Sequence, residues 1–162
     1  MKQTRLYNVI FPVWLLFLVP VVWLMVIPAN LLIDCAVVLV TLCALKHGQK
    51  RAVLKQVWWK VWLLGFAADF VGVALLLPAM FLSSVLPDPV WNLVEPVMYN
   101  CFLSPAAFVW TGLAVALSGV CIYVFDRLVL RSCSLLSPRH QHILALSLAV
   151  ITAPWTFFIP VY

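Results

Sequence analysis

Long apolar runs separated by short polar stretches make up most of the chain. The first run begins at Leu6 and continues, with few polar interruptions, to about Leu45. As one helix, these roughly 40 residues would be about 60 Å long, twice the thickness of the hydrocarbon layer of a bilayer. A turn is therefore expected, and we place it at Pro28-Ala29-Asn30, where Pro ends one helix and Asn30 caps the next. This predicts the first two helices at 6–27 and 31–45.

Two alternatives exist for this N-terminal region. A turn at Pro20 is the less favoured position, because it would divide the run into unequal helices of about 14 and 25 residues. A cleaved signal peptide also fits less well, because the apolar core exceeds the usual length and Ile27-Pro28-Ala29 is a poor cleavage site. We therefore expect the first run to remain as a helical hairpin.

Three further helices are indicated by apolar runs and start signals. Ser104-Pro105 and Ser137-Pro138 each combine a capping serine with a proline at the first helical position. A short segment, 90–94, lies between prolines and is predicted to lie along the membrane surface. The remaining spans are predicted at 57–82, 105–125 and 140–160. The fold class is therefore all-α, a single-domain polytopic membrane helix bundle of about five transmembrane helices over residues 1–162.

Composition supports a membrane environment. Apolar residues make up 66% of the chain and charged residues 9%, and the mean hydropathy is +1.13. A soluble domain of this length would lack a polar surface, so lipid must contact most side chains. The net charge of +5 comes from basic clusters that flank apolar runs, which favours anionic lipid headgroups as partners and argues against nucleic acid.

The distribution of basic residues predicts an orientation. With the N-terminus cytoplasmic, all ten Lys and Arg residues fall on the cytoplasmic side, whereas Asp88 and Glu95 lie outside, as does the C-terminus. Short loops without a glycosylation sequon favour the bacterial cytoplasmic membrane. Four basic residues are interleaved with apolar ones between Gln49 and Trp62, which predicts a membrane-surface helix that binds anionic lipid headgroups. These residues are Lys50, Arg51, Lys55 and Lys60.

Two carboxylates within apolar runs are the most informative residues. Gly65, Asp69 and Gly72 share one face of the third predicted helix, and small residues there allow another helix to approach the carboxyl. Asp34 lies on a polar stripe with Asn30 and Thr41 on the second helix. Each carboxylate costs roughly 2.5 to 3.5 kcal/mol at the centre of a membrane helix, so it should face protein or water.

The two aspartates have a functional and a structural interpretation. In the functional interpretation they line an aqueous or ion-binding path or relay a proton. In the structural interpretation they accept hydrogen bonds from neighbouring helices. Counted along the predicted helices, Asp34 lies about 6 Å below the outer turn and Asp69 about 18 Å above the inner end. A close pair of carboxylates is therefore not expected.

Small and polar residues follow the fourth predicted helix at seven-residue spacing. This face is expected to pack against another helix, with the third as a candidate, and lining of a pore by Thr111 and Ser118 is the alternative. Asp126 borders Arg127 and is expected to form an interfacial ion pair. The stripes consist of Ser104, Thr111 and Ser118 and of Gly112, Gly119 and Asp126, with Ala116 between them.

Signals for enzymatic or metal chemistry are weak. The five cysteines include no C-x-x-C, and only Cys35 and Cys101 lie near the predicted outer face, so at most one disulfide is expected. His140 and His142 fall on different helical faces and make a poor metal site. Motifs for nucleophilic, zinc-dependent, phosphate-binding or dinucleotide-binding enzymes are missing. We expect no cofactor and no metal.

Three functions follow from these features. The first is a solute or ion permeation component with a polar interior around Asp69. In this case the partner would be further copies of the same chain, as a homo-oligomer. The second is an accessory subunit of a larger membrane complex, since small-residue faces also serve helix partners. The third is an intramembrane aspartyl hydrolase, which needs two carboxyls that share a proton. A cavity reaching Asp69 would favour the first, and widely separated carboxyls would exclude the third.

Overall fold

The computed structural model describes residues 19–82 and 85–161, all of which lie in helices or in the connections between them. Short 3-10 turns at 95–98, 101–103 and 155–158 complete these elements. The first 18 residues, which include most of the first predicted helix, the predicted cytoplasmic N-terminus and its two basic residues, lie outside this description, as does Tyr162. The helices are α1 Pro20–Ala44, α2 Lys50–Leu76, α3 Pro78–Phe81, α4 Asp88–Val94, α5 Pro105–Arg131 and α6 Pro138–Ile151.

Four stretches in the described part of the chain are long and apolar enough to cross a membrane. This confirms the prediction of an all-α protein with several candidate membrane spans, of which the described residues contain four, whereas about five were predicted for the whole chain. The second, third and fourth stretches lie near the predicted spans at 57–82, 105–125 and 140–160, whereas the first crosses the predicted boundary between the helices at 6–27 and 31–45. The stretches are Val21–Ala44, Lys50–Phe81, Pro105–Arg131 and Pro138–Phe158.

The predicted turn at Pro28-Ala29-Asn30 is wrong. Helix α1 runs without interruption from Pro20 to Ala44, with Pro28 inside it. Its 25 residues extend about 37 Å, which already suffices to cross a bilayer, and neighbouring groups in membrane bundles compensate the hydrogen bond that proline removes. Pro20 occupies the first turn of α1, where its missing N–H costs nothing.

The C-terminal end of α1 is closed by its own backbone. Lys46 adopts a left-handed conformation with φ of 52°. The N–H of Lys46 donates to the Cys43 carbonyl and that of His47 to the Leu42 carbonyl, both at 3.0 Å. This pair of bonds is the pattern that ends many helices, and it reverses the chain before α2 begins at Lys50.

Both serine-proline start signals are confirmed, although the serines act differently. Helix α5 begins at Pro105 and α6 at Pro138. Ser137 Oγ accepts from the His140 N–H at 3.3 Å, as a cap does. Ser104 Oγ instead donates to the Leu93 carbonyl at 2.6 Å and so ties the start of α5 to α4.

Other helix boundaries differ from the predictions. The basic stretch after Gln49, predicted to lead into the third span, forms the first part of α2, which is continuous from Lys50 to Leu76. Proline 78 then begins the short α3. Helix α6 is shorter than predicted, because it ends at Ile151, and Pro154 precedes a 3-10 turn at 155–158.

The bundle has a basic end and an acidic end. Helix α5 packs against both α2 and α6, and α1 packs against α2 and α6. The rings of His47 and His140 are 5.7 Å apart, which places the loops 45–49 and 132–137 together. We call this side the basic end. The connection 85–104, which carries Asp88 and Glu95 and no Lys or Arg, lies at the other side, the acidic end.

Buried apolar side chains form two clusters along the bundle. One, toward the basic end, includes Leu42, Val57 and Leu144. The other, toward the acidic end, is centred on Leu76 and Trp91. Asp34 and Asp69 belong to neither cluster. They lie on α1 and α2, respectively, close to the boundary between the two clusters.

Candidate functional site

A cavity of about 420 Å³ opens among α1, α2 and the C-terminal part of α6. Its polar lining residues include Asn30, Asp34 and Asp69. Helix α1 contributes one wall, residues 151–156 the opposite wall, and Gly65 and Asp69 of α2 the back. The cavity therefore contains both of the intramembrane carboxylates that the sequence identifies.

The structure brings Asp34 and Asp69 together, contrary to their expected separation. The carboxyl Oδ2 of Asp34 lies 3.7 Å from the position that a Cβ on Gly65 would occupy. Gly65 precedes Asp69 by four residues on the same face of α2, so Asp34 lies against the face that carries Asp69. The depth estimate was wrong because it assumed a turn at Pro28, whereas Asp34 lies well inside the continuous α1.

The Asp69 side chain lies near polar groups of α1. Asn30, one turn before Asp34 on α1, lines the same cavity as Asp69. Asp69 is only 4% exposed, yet its Oδ1 has no hydrogen-bond partner among the described residues. A buried acceptor without a partner is costly, so the Asp69 carboxyl retains hydrogen-bonding capacity that these residues do not use.

The rest of the cavity wall is mainly apolar and was not identified from the sequence. It consists largely of valine, isoleucine, alanine and proline side chains, with Trp155 at one edge. Thr152 Oγ1 donates to the Leu148 carbonyl at 2.8 Å, and Trp155 Nε1 to the Val150 carbonyl at 2.9 Å. The apolar members are Val22, Val26, Ala29, Ile33, Ile151, Ala153 and Pro154.

Asp126 does not form the expected interfacial ion pair. It is 0% exposed, and neither carboxylate oxygen has a hydrogen-bond partner within residues 19–82 and 85–161. Arg127 instead donates to the Pro138 carbonyl at 3.1 Å and to Gln141 Oε1 at 3.2 Å. Asp126 lies close enough to Asp34 for their charges to interact, which makes it a third buried carboxylate beside the cavity, although it does not line it.

Thr111 and Ser118 pack between helices and do not line the cavity. They are 1% and 0% exposed, respectively. Ser118 Oγ contacts Gly72 of α2 so closely that a Cβ on Gly72 would overlap it. The contact between α5 and α2 predicted from the first polar stripe is therefore present, whereas these residues lie apart from the polar surface around Asp69.

The second stripe of α5 faces α6 and the turn that follows. A Cβ on Gly119 would lie 3.5 Å from the Ala149 carbonyl, and one on Gly112 would lie 3.9 Å from Phe158 Cζ. Ala116 is exposed, so it does not fill a contact in the described bundle. It borders an open groove between α5 and α6 of about 400 Å³.

The basic residues expected to contact lipid headgroups lie near the basic end of α2. Arg51 and Lys55 are exposed, whereas Lys50 and Lys60 are half-buried. The ammonium of Lys60 lies 5.7 Å from the centre of the Trp59 ring, a distance at which cation and ring attract. Each of these side chains reaches the protein surface.

All five cysteines are free, so Cys35 and Cys101 do not form a disulfide. In the described ranges no three His, Cys, Asp or Glu residues are grouped as metal ligands. His142 Nδ1 is instead paired with the Tyr123 hydroxyl at 2.9 Å. The histidines therefore contact other side chains at the basic end.

The arrangement suits binding better than hydrolysis by an aspartate pair. Aspartyl hydrolases use two carboxyls that share one proton directly. Here Oδ1 of Asp69 has no hydrogen-bond partner among the described residues, Asp34 included. What the cavity offers is two carboxyl groups inside a mainly apolar wall.

Comparison with known proteins gives no relative from which a function could be transferred. No protein-family model, no curated protein and no solved structure matches the chain.

Proposed function

We propose that this chain is a small membrane transport component that takes a cationic solute into the cavity between α1, α2 and α6. The observation that carries the proposal is that Asp69 lines a cavity of about 420 Å³ together with Asp34, while its Oδ1 has no hydrogen-bond partner among the described residues. Ionisable residues inside membrane helices are costly, and they commonly mark the path of a substrate or ion.

The charges around the cavity support a cation in particular. Its described lining residues include two carboxylates and no Lys, Arg or His. Asp126 adds a third carboxylate within electrostatic range of Asp34. An anion would meet uncompensated negative charge in a low-dielectric environment, whereas a cation would be stabilised there.

Flux measurements on reconstituted protein test this function. Proteoliposomes would be loaded or bathed with rubidium, methylammonium or ethidium, and flux would be compared with that in protein-free liposomes. Wild-type protein is expected to conduct at least one of these cations. Asp69→Asn, which keeps the size and removes the charge, should reduce that flux about tenfold or more, as expected when a buried charge partner is lost.

The matched control is Asp88→Asn, which removes an exposed carboxylate in the acidic-end connection. Its flux should equal that of the wild type. Gel filtration would verify that each variant is folded. Equal flux through wild type and Asp69→Asn, or no flux above protein-free liposomes for any of the three cations, would remove transport through this cavity.

We also propose that the basic end faces the cytoplasm. Lys46 in the connection 45–49 and the Lys and Arg residues of the adjoining helix ends lie at that end, whereas the acidic-end connection has no Lys or Arg, which is the distribution of the positive-inside rule. Single cysteines at Gly48 and Ser134 should react with an impermeant thiol reagent only from the cytoplasmic side, and one at Asn92 only from outside. All three positions are exposed.

This labelling requires a background in which the five native cysteines are replaced by alanine. Labelling of the Gly48 and Asn92 positions from the same side would contradict the arrangement of the helices. Labelling of all three from the sides opposite to those expected would reverse the proposed orientation.

An accessory subunit is the second candidate, favoured by the open groove between α5 and α6. Ala116 and Gly119 line that groove together with apolar side chains, and small residues of this kind let a helix of another protein approach closely. Isolation in a mild detergent separates the candidates. A stoichiometric, unrelated membrane protein would favour the subunit, and copies of this chain alone would favour transport.

A further inference from the structure

We infer that the solute for this cavity is an organic cation, with one protonated amine on a compact apolar body. The inference rests on the proposed function in that it names the class of solute for the same site. It depends on three features of the cavity: its acceptor, its walls and its aromatic edge.

The Asp69 carboxylate favours a ligand that has both a positive charge and a hydrogen-bond donor. Asp69 lines the cavity, and its Oδ1 has no partner among the described residues. A protonated amine supplies both a positive charge and N–H donors to such a carboxylate, and charge-assisted hydrogen bonds are the stronger kind. A quaternary ammonium or a neutral alcohol would supply only one of these two.

The volume and the walls select for an organic ligand over a bare ion. A cavity of about 420 Å³ falls within the range of small-molecule sites and is far larger than a single water or metal ion requires. Val22, Val26, Ile33 and Ile151 form apolar walls that would contact an apolar body and have nothing to offer a hydrated ion.

Trp155 adds a second contact for positive charge. It lines the same cavity as Asp69, and its Nε1 is held by the Val150 carbonyl at 2.9 Å, which fixes the orientation of the ring. Its ring is also stacked on Phe158 with 6.5 Å between centres. The face of a tryptophan attracts cations, most strongly where water is excluded.

Three ligands with the same apolar cage test the inference: 1-adamantylamine, 1-adamantanol and 1-adamantanecarboxylate. Binding would be measured by titration calorimetry on protein in nanodiscs of phosphatidylcholine, with empty nanodiscs as the reference for partition into lipid. The amine should bind the wild type, the alcohol about tenfold or more weakly, and the carboxylate not at all. Asp69→Asn should weaken amine binding about tenfold or more, and Asp34→Asn less.

The control variant is again Asp88→Asn, which should bind the amine as the wild type does. The inference is overturned if the alcohol or the carboxylate binds as tightly as the amine, if the amine fails to bind wild type up to about 1 mM, or if Asp69→Asn binds it unchanged. Amine binding that depends on Asp69 without any flux would contradict transport and leave the site in place. Rubidium flux that depends on Asp69, together with failure of the amine to bind, would contradict only the class of solute.

Discussion

Replacement of Gly72 with alanine is expected to lower the free energy of unfolding by about 1–3 kcal/mol, the usual cost of overpacking a core. The added Cβ would overlap Ser118 Oγ, lie 2.8 Å from Phe157 Cε2 and lie 3.2 Å from the Ala114 carbonyl oxygen. The serine and phenylalanine side chains can move, but the carbonyl belongs to the backbone of α5. Helices α2 and α5 would therefore have to separate.

Gly65→Ala is the matched control, since Gly65 lies two helical turns earlier on the same helix. There the new Cβ would have only Asp34 Oδ2 nearby, at 3.7 Å, an ordinary contact. Unfolding in mixed micelles of a mild detergent and dodecyl sulfate would give the stabilities, and Gly65→Ala should match the wild type within about 0.5 kcal/mol.

A second substitution identifies the clash. In the double variant Gly72→Ala with Ser118→Gly, the nearest obstacle is removed, so part of the lost stability should return and the two changes should be non-additive. Equal stabilities of Gly72→Ala and the wild type, or an equal loss in Gly65→Ala, would show that α2 and α5 are not in the close contact described.

The importance of Gly72 could be anticipated from the sequence because its signal is local. Gly65, Asp69 and Gly72 share a face whatever the helix packs against. The starts of α5 and α6 at Pro105 and Pro138 were predictable for the same reason, since a capping position and the proline beside it are neighbours in the chain. Which helix fills the space over each glycine depends on the whole bundle, and sequence could only name candidates.

The pairing of Asp34 with Asp69 could not be predicted, because it depends on a single decision about Pro28. A proline in an apolar run either ends a helix or is tolerated within it, and in a bilayer the packing of neighbouring helices decides which. Placing a turn there put Asp34 near the surface, whereas the continuous α1 sets it beside Gly65. Whether the helix ends at Pro28 or continues through it therefore decides whether the two carboxylates are separate or belong to one site.

Asp126 was misinterpreted although the sequence contained the relevant signal. Adjacent residues on a helix point about 100° apart, so the neighbouring Arg127 need not contact it. Ser118, Ile122 and Leu130 are spaced from Asp126 by multiples of four, and all of them are buried to within 1% exposure. This spacing indicates a single buried face of α5. Asp126 therefore points into the bundle and away from the charged surface at the basic end.

Replacement of Asp126 with alanine is expected to raise the free energy of unfolding by about 1–3 kcal/mol, because both oxygens of this buried carboxylate lack partners. The small space left behind would offset about 0.5 kcal/mol of that gain. Truncation of a completely buried side chain ordinarily has the opposite sign. The same mixed-micelle titration measures it.

Ile122→Ala, one turn earlier on the same buried face of α5, is the control and should lower the free energy of unfolding by about 2–5 kcal/mol. If Asp126→Ala is destabilising to a similar degree, the carboxylate must have a partner that holds the bundle together, and its burial would be structural. If the variant is more stable than the wild type, Asp126 lowers the stability of the natural protein. A residue that is kept at a cost to stability is typical of sites where function and stability conflict. Because Asp126 lies within electrostatic range of Asp34, the more stable variant should then also carry cations more slowly than the wild type.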